Sequence, residues 1–253
     1  MAVPQLLDLT TVRPTGAYPA PFCTASGVTS SVFSQPAGFD QWIVVAELAA
    51  GAEIMWEGPH GDEAMYVVGG QLQVGEAKAR AAPGRAGSRC VAEGAVIVES
   101  AAPATVRALE DTRIVHMGSV LPDVPTDGPL GPPARHGHGV HVHGPIGDPT
   151  LSSGDSSAAF FARGRCPTCR IMFYRVRSTG DTRSHSHSEA QLQHVLAGPI
   201  GVATYHVEAG MTVALPSDYR YRYSASGPWE ILVYRRDMSL MRRGPGDDAM
   251  LEG

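Results

Sequence analysis

Two histidines separated by one residue are the strongest candidates for chemistry in this chain. They are His185 and His187, in the stretch "TRSHSHSEAQLQHVLAG" (182–198). On a strand, residues two apart point to the same face at a spacing of roughly 6.5–7 Å, so both imidazoles can reach one ion inside a barrel. Gln191 has the same parity if the strand is regular, and its carbonyl oxygen would be a third ligand. The alternative is a vestigial motif in which hydrogen bonds satisfy the histidines.

Three tyrosines alternate with arginines in "YRYRYS" (219–224). The phenol of Tyr221 could be a fourth metal ligand, or a catalytic proton donor whose pKa a nearby metal would lower. Tyr219 and Tyr223 share its parity, and the three would line a pocket for an aromatic or polyketide-like substrate. By the same parity Gln193 is a candidate catalytic residue and Val195 a candidate pocket residue. The alternative is strand packing without chemistry, which alternating Tyr and Arg also favours.

Two further clusters contain metal-ligating residue types. The stretch "HGHGVHVHG" is either a solvated linker or a source of one ligand for a neighbouring site, and "RCPTCR" contains a CxxC pair. A structural zinc usually needs a second pair of ligands, which the histidines could supply only if the chain folds back. Thiols without a role are the favoured interpretation. The residues concerned are His136, His138, His141, His143, Cys166 and Cys169.

Composition restricts the class of protein. The 253 residues carry a net charge of −5 without a basic run, which argues against nucleic-acid binding. The longest apolar runs, such as "WIVVAELAA" (42–50), are far shorter than the roughly 20 residues of a membrane span. The start of the chain lacks the basic and apolar regions of a signal peptide, and four cysteines fit a reducing compartment. We therefore expect a soluble, cytoplasmic protein.

The chain contains two similar series of short strands. Runs rich in Val, Ile, Tyr and Phe are separated by Gly, Pro, Asp and Ser, which is typical of an all-β sandwich or barrel. "EAMYVVGG" (63–70) corresponds to "QLQHVLAG" (191–198), "EGAVIVES" (93–100) to "AGMTVALP" (209–216), and "TRIVHMG" (112–118) to "WEILVYR" (229–235). A duplicated β domain is predicted.

The predicted organisation has five parts. An N-terminal arm covers residues 1–38, a first barrel 39–120, and a second barrel 158–237. A linker rich in Pro, Gly and His joins the barrels over 121–157, because that stretch is too polar to form its own core. Residues 238–253 are predicted as a short surface tail.

The chain resembles a bicupin, a protein with two cupin barrels in tandem. The cupin pattern is HxH, three or four residues, Glu, six residues and Gly, and later Gly, five residues, Pro-x-Gly, two residues and His. Here His185-Ser186-His187 precedes Gln191 and Gly198 on spacing, and Gly210 precedes Pro216 on spacing. The resemblance implies two double-stranded β-helix (jelly-roll) barrels.

The departures from the pattern affect the ligands. Gln191 takes the place of the usual Glu, and "PSDYRY" puts Tyr221 where the third histidine ligand normally stands. In the first half Glu63 holds the Glu position, but the histidine positions are occupied by Glu57 and Pro59, and Thr105 falls near the last one. By analogy, the first barrel is expected to lack a metal.

The resemblance leaves three functions open. We slightly favour a metal-dependent enzyme of the dioxygenase type that uses one divalent ion (Fe, Mn, Ni, Cu or Zn) in the second barrel. A lyase, isomerase or polyketide cyclase with a Lewis-acid metal is the second hypothesis. The third is a non-catalytic bicupin that binds a small molecule. The fold cannot choose among them. A small-molecule substrate and a homodimer that pairs through edge strands are the expected partners.

Overall fold

Runs rich in β-branched and aromatic residues form many of the strands in the described part of the chain. The computed structural model describes residues 3–81, 93–120, 139–147, 156–163, 171–244 and 250–251, and within these ranges it contains strands and no α-helix. Consequently, no helix in the described part of the chain has the length and apolarity that crossing a bilayer requires.

Up to residue 120, the described residues (3–81 and 93–120) form nine strands. Their bounds are β1 (Gln5–Leu7), β2 (Cys23–Ser34), β3 (Gln41–Trp56), β4 (Glu63–Gly69), β5 (Gln71–Val74), β6 (Ala77–Arg80), β7 (Ala95–Val98), β8 (Ala104–Ala108) and β9 (Thr112–Ser119).

The remaining strands, described with the same gaps, follow residue 139. They are β10 (Val140–His143), β11 (Ile146–Gly147), β12 (Ser157–Arg163), β13 (Met172–Ser178), β14 (Ser186–His187), β15 (Gln191–Ala197), β16 (Ile200–Val202), β17 (Tyr205–Val207), β18 (Thr212–Leu215), β19 (Tyr223–Ser224), β20 (Trp229–Arg235), β21 (Leu240–Arg242) and β22 (Met250–Leu251).

The two halves repeat the same pairing, which explains the repeat in the sequence. In the first, β4 lies between β7 and β9, and in the second β15 lies between β18 and β20. Registers also correspond, with Glu63 opposite Val98 and Gln191 opposite Leu215. We call the nine-stranded sheet the N-terminal barrel, and the seven-stranded sheet with its two three-stranded sheets the C-terminal barrel. The predicted all-β fold with two barrels in tandem is confirmed.

One glycine in each half is required by the backbone. Gly70 and Gly198 follow β4 and β15, and both have a positive φ, of 81° and 79°. A Cβ at Gly70 would collide with the carbonyl of Asp111, and one at Gly198 with the carbonyl of Pro228. A left-handed conformation in contact with another backbone segment admits only glycine. Both halves therefore have a glycine at this position for a steric reason.

Successive side chains of a strand point to opposite faces, so one strand can contribute to two apolar clusters. On β20, Ile231 and Val233 face the inside of the C-terminal barrel, whereas Leu232 and Tyr234 face the first barrel. The first barrel sends side chains such as Ile97 and Met117 to this shared cluster. The barrels are therefore joined by a continuous apolar core, the expected use of the side-chain period of two.

A buried ion pair crosses the interface between the barrels. The guanidinium of Arg175 donates from Nε and Nη2 to the two carboxylate oxygens of Glu93, both at 2.6 Å. Tyr66 donates to the same carboxylate at 2.7 Å, and burial together with Glu93 raises the pKa of that phenol well above its usual value. Glu230 accepts from Arg175 at 3.3 Å and from Arg177 at 2.9 Å.

The segments predicted as arm, linker and tail form strands of the barrels. Strand β1 pairs with β18 of the C-terminal barrel, and β2 pairs with β3 of the N-terminal barrel. From the predicted linker, β10 pairs with β7. The predicted surface tail (238–253) does not begin at the surface, because Met238 and Ser239 are fully buried and β21 pairs with β14.

Breaking the ion pair between the barrels is predicted to destabilise the fold strongly. Arg175→Met leaves the buried carboxylate of Glu93 without its bidentate partner, at a cost of about 3–5 kcal/mol. Arg177→Met removes an arginine of which 48% is exposed, and should cost about 1 kcal/mol or less. Urea titrations of both variants measure the difference; equal losses would show that the pair between the barrels is not the stronger one.

Stability is also predicted to fall in mild acid because of His194. This side chain lies on the face of β15 opposite the barrel interior, and its Nδ1 is 2.9 Å from Thr212 Oγ1. Burial, with a smaller contribution from Arg113, lowers its pKa from 6.5 to about 3. Only the unfolded chain binds a proton between these values, so stability drops by about 1.4 kcal/mol per pH unit from pH 6.5 downwards.

His194→Gln should remove this component of the acid sensitivity. The matched control is His206→Gln, because 70% of the His206 side chain is exposed. Thermal melts between pH 7 and 4 should show a flatter profile only for His194→Gln. Parallel profiles for the wild-type protein and His194→Gln would contradict the assignment.

Candidate functional site

A cavity of about 710 Å³ lies in the C-terminal barrel, where the candidate residues meet. Its wall combines aromatic rings, imidazoles, hydroxyls and two arginines. The lining residues are Ser156, Ala158, Tyr174, Val176, Ser178, Thr179, Gly180, Asp181, Thr182, Arg183, His185, His187, Tyr221, Tyr223, Val233, Met241 and Arg243.

Two strand pairings hold the histidines at this wall. His185 and Tyr221 form an isolated bridge, exchanging two backbone hydrogen bonds of 2.9 Å. His187 belongs to β14 and pairs with Met241 of β21, so the end of the chain fixes its position. The two imidazole rings are 5.0 Å apart, centre to centre, and both border the cavity.

Two of the three predicted tyrosines join the imidazoles in an aromatic cluster. The ring of Tyr221 lies 4.5 Å from that of His185 and 5.5 Å from that of Tyr223. Tyr223 lies 4.9 Å from Trp229, and burial raises the pKa of its phenol well above the usual value. Tyr219 is half-buried against the barrel core and does not line the cavity, because the chain turns between residues 216 and 219 before the bridge at Tyr221 begins.

The two glutamines of β15 hold the Tyr221 phenol from behind. Gln191 and Gln193 each donate from Nε2 to the Tyr221 oxygen, at 2.9 and 3.1 Å. Both glutamines are buried and lie outside the cavity wall. Val195 continues the same face of β15 but packs in the apolar cluster with Tyr223. The predicted inward parity thus describes these side chains, although only Tyr221 among this group reaches the cavity.

The centre of the polar network is Arg235, a fully buried residue at the end of β20. A guanidinium has five N–H donors and no acceptor. Neutral acceptors face all three of its nitrogens. They are Gln191 Oε1 at 3.0 Å from Nε; Ser239 Oγ at 2.9 Å and Met172 Sδ at 3.9 Å from Nη1; and Tyr174 OH at 2.5 Å and His187 Nε2 at 3.0 Å from Nη2.

These contacts bear directly on the predicted metal. A metal would need the lone pairs of His187 Nε2 and of the Gln191 oxygen, and Arg235 donates to both. The Tyr221 oxygen accepts from two amides. No group of three or more His, Cys, Asp or Glu side chains in the described ranges could hold a metal ion. As arranged, the set His185, His187, Gln191 and Tyr221 does not fit a divalent cation.

The interior of the N-terminal barrel is polar in a different way. Glu63, which corresponds to Gln191, accepts from Trp56 Nε1 at 2.9 Å and lies 2.8 Å from His116 Nε2. Gly118 lies next to Glu63, whereas the C-terminal barrel has Arg235 opposite Gln191. A Cβ at Gly118 would collide with the indole of Trp42, so an indole fills the region that a longer side chain at 118 would enter.

Of the other candidate clusters, the structure describes His141 and His143, and these two residues do not line the cavity. His141 lies 3.0 Å from Glu99 of the first barrel, because β10 pairs with β7. His143 is 5.7 Å from His141, ring to ring. His136, His138, Cys166 and Cys169 lie outside the described residues.

Sequence reasoning missed the residues that organise the network, namely Arg235, Tyr174 and Ser239. One signal was available. In "WEILVYR" (229–235), the arginine has the inward parity of Ile231 and Val233, and an arginine on the core face of a strand requires buried acceptors.

Comparison with solved structures supports this architecture. A glyoxylate-induced protein from Pseudomonas aeruginosa aligns with a TM-score of 0.66 and 16% identity over 92% of this chain and 89% of the other. Oxalate decarboxylase from Bacillus subtilis, described with Mn(II) centres, aligns at 0.64 and 11% over 99% and 80%. A mutant of that decarboxylase aligns at 0.66 and 12% over the same shares. The fold is that of the cupins. At these identities the likeness reaches no further, and no protein-family model and no curated protein matches the sequence.

Removing the Tyr221 hydroxyl is predicted to destabilise the barrel. Tyr221→Phe deletes the acceptor of two buried amide donors, at a cost of about 2–3 kcal/mol. Tyr219→Phe, on the half-buried tyrosine outside the network, should cost about 0.5 kcal/mol or less. The free energies of unfolding of both variants, from urea titration, test this. A Tyr221→Phe protein as stable as the control would mean that the glutamine amides have other acceptors.

Proposed function

We propose that the chain is a cupin-fold protein that binds a small organic acid in the cavity of its C-terminal barrel. The observation that carries the proposal is the composition of the cavity wall. Aromatic rings, from His185 to Tyr223, form one part of it, and the arginines 183 and 243 lie on the same cavity. A concave wall of rings with a few placed polar and charged groups is a common form of small-molecule site.

The charges around the cavity favour an acidic ligand. Arg183 and Arg243 line it, and the guanidinium of Arg235 lies directly behind Tyr174 and His187. Asp181 is the acidic residue of the lining, and one of its oxygens accepts from the backbone N–H of Ala225. Arginines recognise carboxylates well, because the planar fork of N–H donors matches both oxygens.

The size of the cavity favours an acid larger than two carbons. The similar structures are described as glyoxylate-induced and as oxalate decarboxylase, and both names refer to small carboxylic acids. A volume of about 710 Å³ suits a ligand with an aromatic or unsaturated body, since sites for such molecules span roughly 300–1,000 Å³. An aromatic or polyketide-like acid combines the charge with the ring-lined wall.

The cavity that binds the acid is also a candidate active site. Enzymes occur among the structural neighbours, and the Mn(II) centres named for oxalate decarboxylase make a divalent metal a reasonable hypothesis for this fold. Here a metal-dependent lyase would first have to displace Arg235 from His187 and Gln191. The dioxygenase, and the catalytic roles of Tyr221 and Gln193, stay predictions that no contact in the barrel favours.

Binding of a carboxylate is tested with a matched pair of ligands. Isothermal titration should detect aromatic carboxylates such as benzoate and cinnamate, and at least 10-fold weaker binding of the corresponding carboxamides. Glyoxylate and oxalate in the same panel test the two-carbon acids, and mass spectrometry of the mixtures detects turnover. Equal affinity for acids and amides would contradict the acid-binding proposal.

The cavity arginines supply the matched protein variants. Arg183→Ala/Arg243→Ala should weaken carboxylate binding about 5- to 10-fold, since exposed charge pairs contribute modestly. Arg107→Ala/Arg222→Ala removes the same charge from exposed residues outside the cavity and should leave the affinity unchanged. Equal losses in the two double variants would indicate a general charge effect and no site at this cavity.

A further inference from the structure

We propose that Arg235 is an internal cation that takes the place of a metal ion in the C-terminal barrel and excludes divalent metals from it. Removing its charge and restoring an acid at position 191 should open a latent metal site. The inference concerns the barrel wall and does not depend on which molecule the cavity binds.

The guanidinium of Arg235 lies between two of the predicted metal ligands. Its Nε donates to Gln191 and its Nη2 to His187 Nε2, each at 3.0 Å. His187 and position 191 are two of the positions that the cupin pattern assigns to metal ligands. The guanidinium thus bridges two of the predicted ligands, as an ion between them would do.

The positive charge of Arg235 is permanent. An arginine side chain stays protonated in proteins, so this cation cannot be titrated away to admit another. Its partners at Gln191, Ser239 and Tyr174 are neutral, and each orients an acceptor towards it. A divalent ion entering here would meet a fixed positive charge in a low-dielectric interior, where repulsion is strong.

The comparison between the halves is an independent observation. In the N-terminal barrel Gly118 lies next to Glu63, whose Cγ would be 2.9 Å from a Cβ at that glycine, and in the C-terminal barrel Gln191 pairs with Arg235. The N-terminal barrel has the acid without the arginine, and the C-terminal barrel has the arginine without the acid. Relative to the pair Glu63 and Gly118, both differences make the interior of the C-terminal barrel more positive, and both oppose the entry of a divalent cation.

The acid of the first barrel lies beside a buried histidine. His60 is fully buried, and its two ring nitrogens lie 2.7 Å from the carbonyl oxygen of Gly61 and 2.9 Å from that of Ala102. Glu63 Oε1 lies 3.8 Å from His60 Nδ1. The carboxylate of the first barrel therefore has an imidazole as its neighbour, whereas Gln191 in the C-terminal barrel has a guanidinium.

The decisive experiment is a Co²⁺ titration, read by the visible absorption of the bound ion and by metal content after dialysis. Gln191→Glu/Arg235→Leu should bind one equivalent more than the same variant with His187→Ala added. The wild-type protein should bind no more Co²⁺ than the His187→Ala variant does. The comparison subtracts any Co²⁺ that other histidines hold, because both proteins share those histidines. A matched control, Gln191→Glu/Arg236→Leu, removes the neighbouring arginine, which pairs with Asp40 outside the barrel interior.

Two outcomes would overturn the proposal. One is a wild-type protein that binds one equivalent dependent on His187. The other is a Gln191→Glu/Arg235→Leu protein, folded by circular dichroism, that binds no more metal than the wild type. If that variant does not fold, Arg235→Leu alone replaces it. The measurement on the wild-type protein tests the proposal whether or not the variant folds. In ¹⁵N-labelled wild-type protein, the resonances of the His187 ring should not respond to Co²⁺.

Discussion

A guanidinium buried inside a barrel must find an acceptor for every N–H group, and in this protein that requirement organises the C-terminal half. Arg235 is fully buried, and its acceptors come from four separate stretches of chain. Tyr174 comes from β13, His187 from β14, Gln191 from β15, and Ser239 from the segment after β20. An unmet donor in this interior would cost free energy, so the four stretches are held in mutual register.

The network also determines what the neighbouring cavity can present. Gln191 donates to the Tyr221 oxygen while its own oxygen accepts from Arg235, so the amide is oriented from both sides. The phenol of Tyr221 and the ring of His187 are then fixed parts of the cavity wall. A site built on strands and supported from behind has little freedom to rearrange, which suits selective binding of a rigid ligand. The chemistry of the cavity thus depends on a residue outside its lining.

The sequence predicted the fold well because the fold depends on local and periodic signals. The apolar alternation, the corresponding strands and the glycines at 70 and 198 all follow from steric rules that apply at each position. The inward parity of Gln191 and Gln193 could be predicted for the same reason. The association of Ser239 with Tyr174 could not, because it depends on where a segment predicted as surface tail returns to the barrel.

The same limit applies to Tyr219 and to the predicted metal ligands. Tyr219 shares the parity of Tyr221, but parity predicts a side-chain direction only on a continuous strand, and the regular part begins at the bridge between His185 and Tyr221. The metal ligands were inferred from their own types and spacing, whereas the group that competes for them lies 44 residues from Gln191 in the chain. A motif thus identifies the donors that face the barrel interior. Which cation these donors hold depends on the charge that the opposite strand contributes, and β20 contributes a guanidinium.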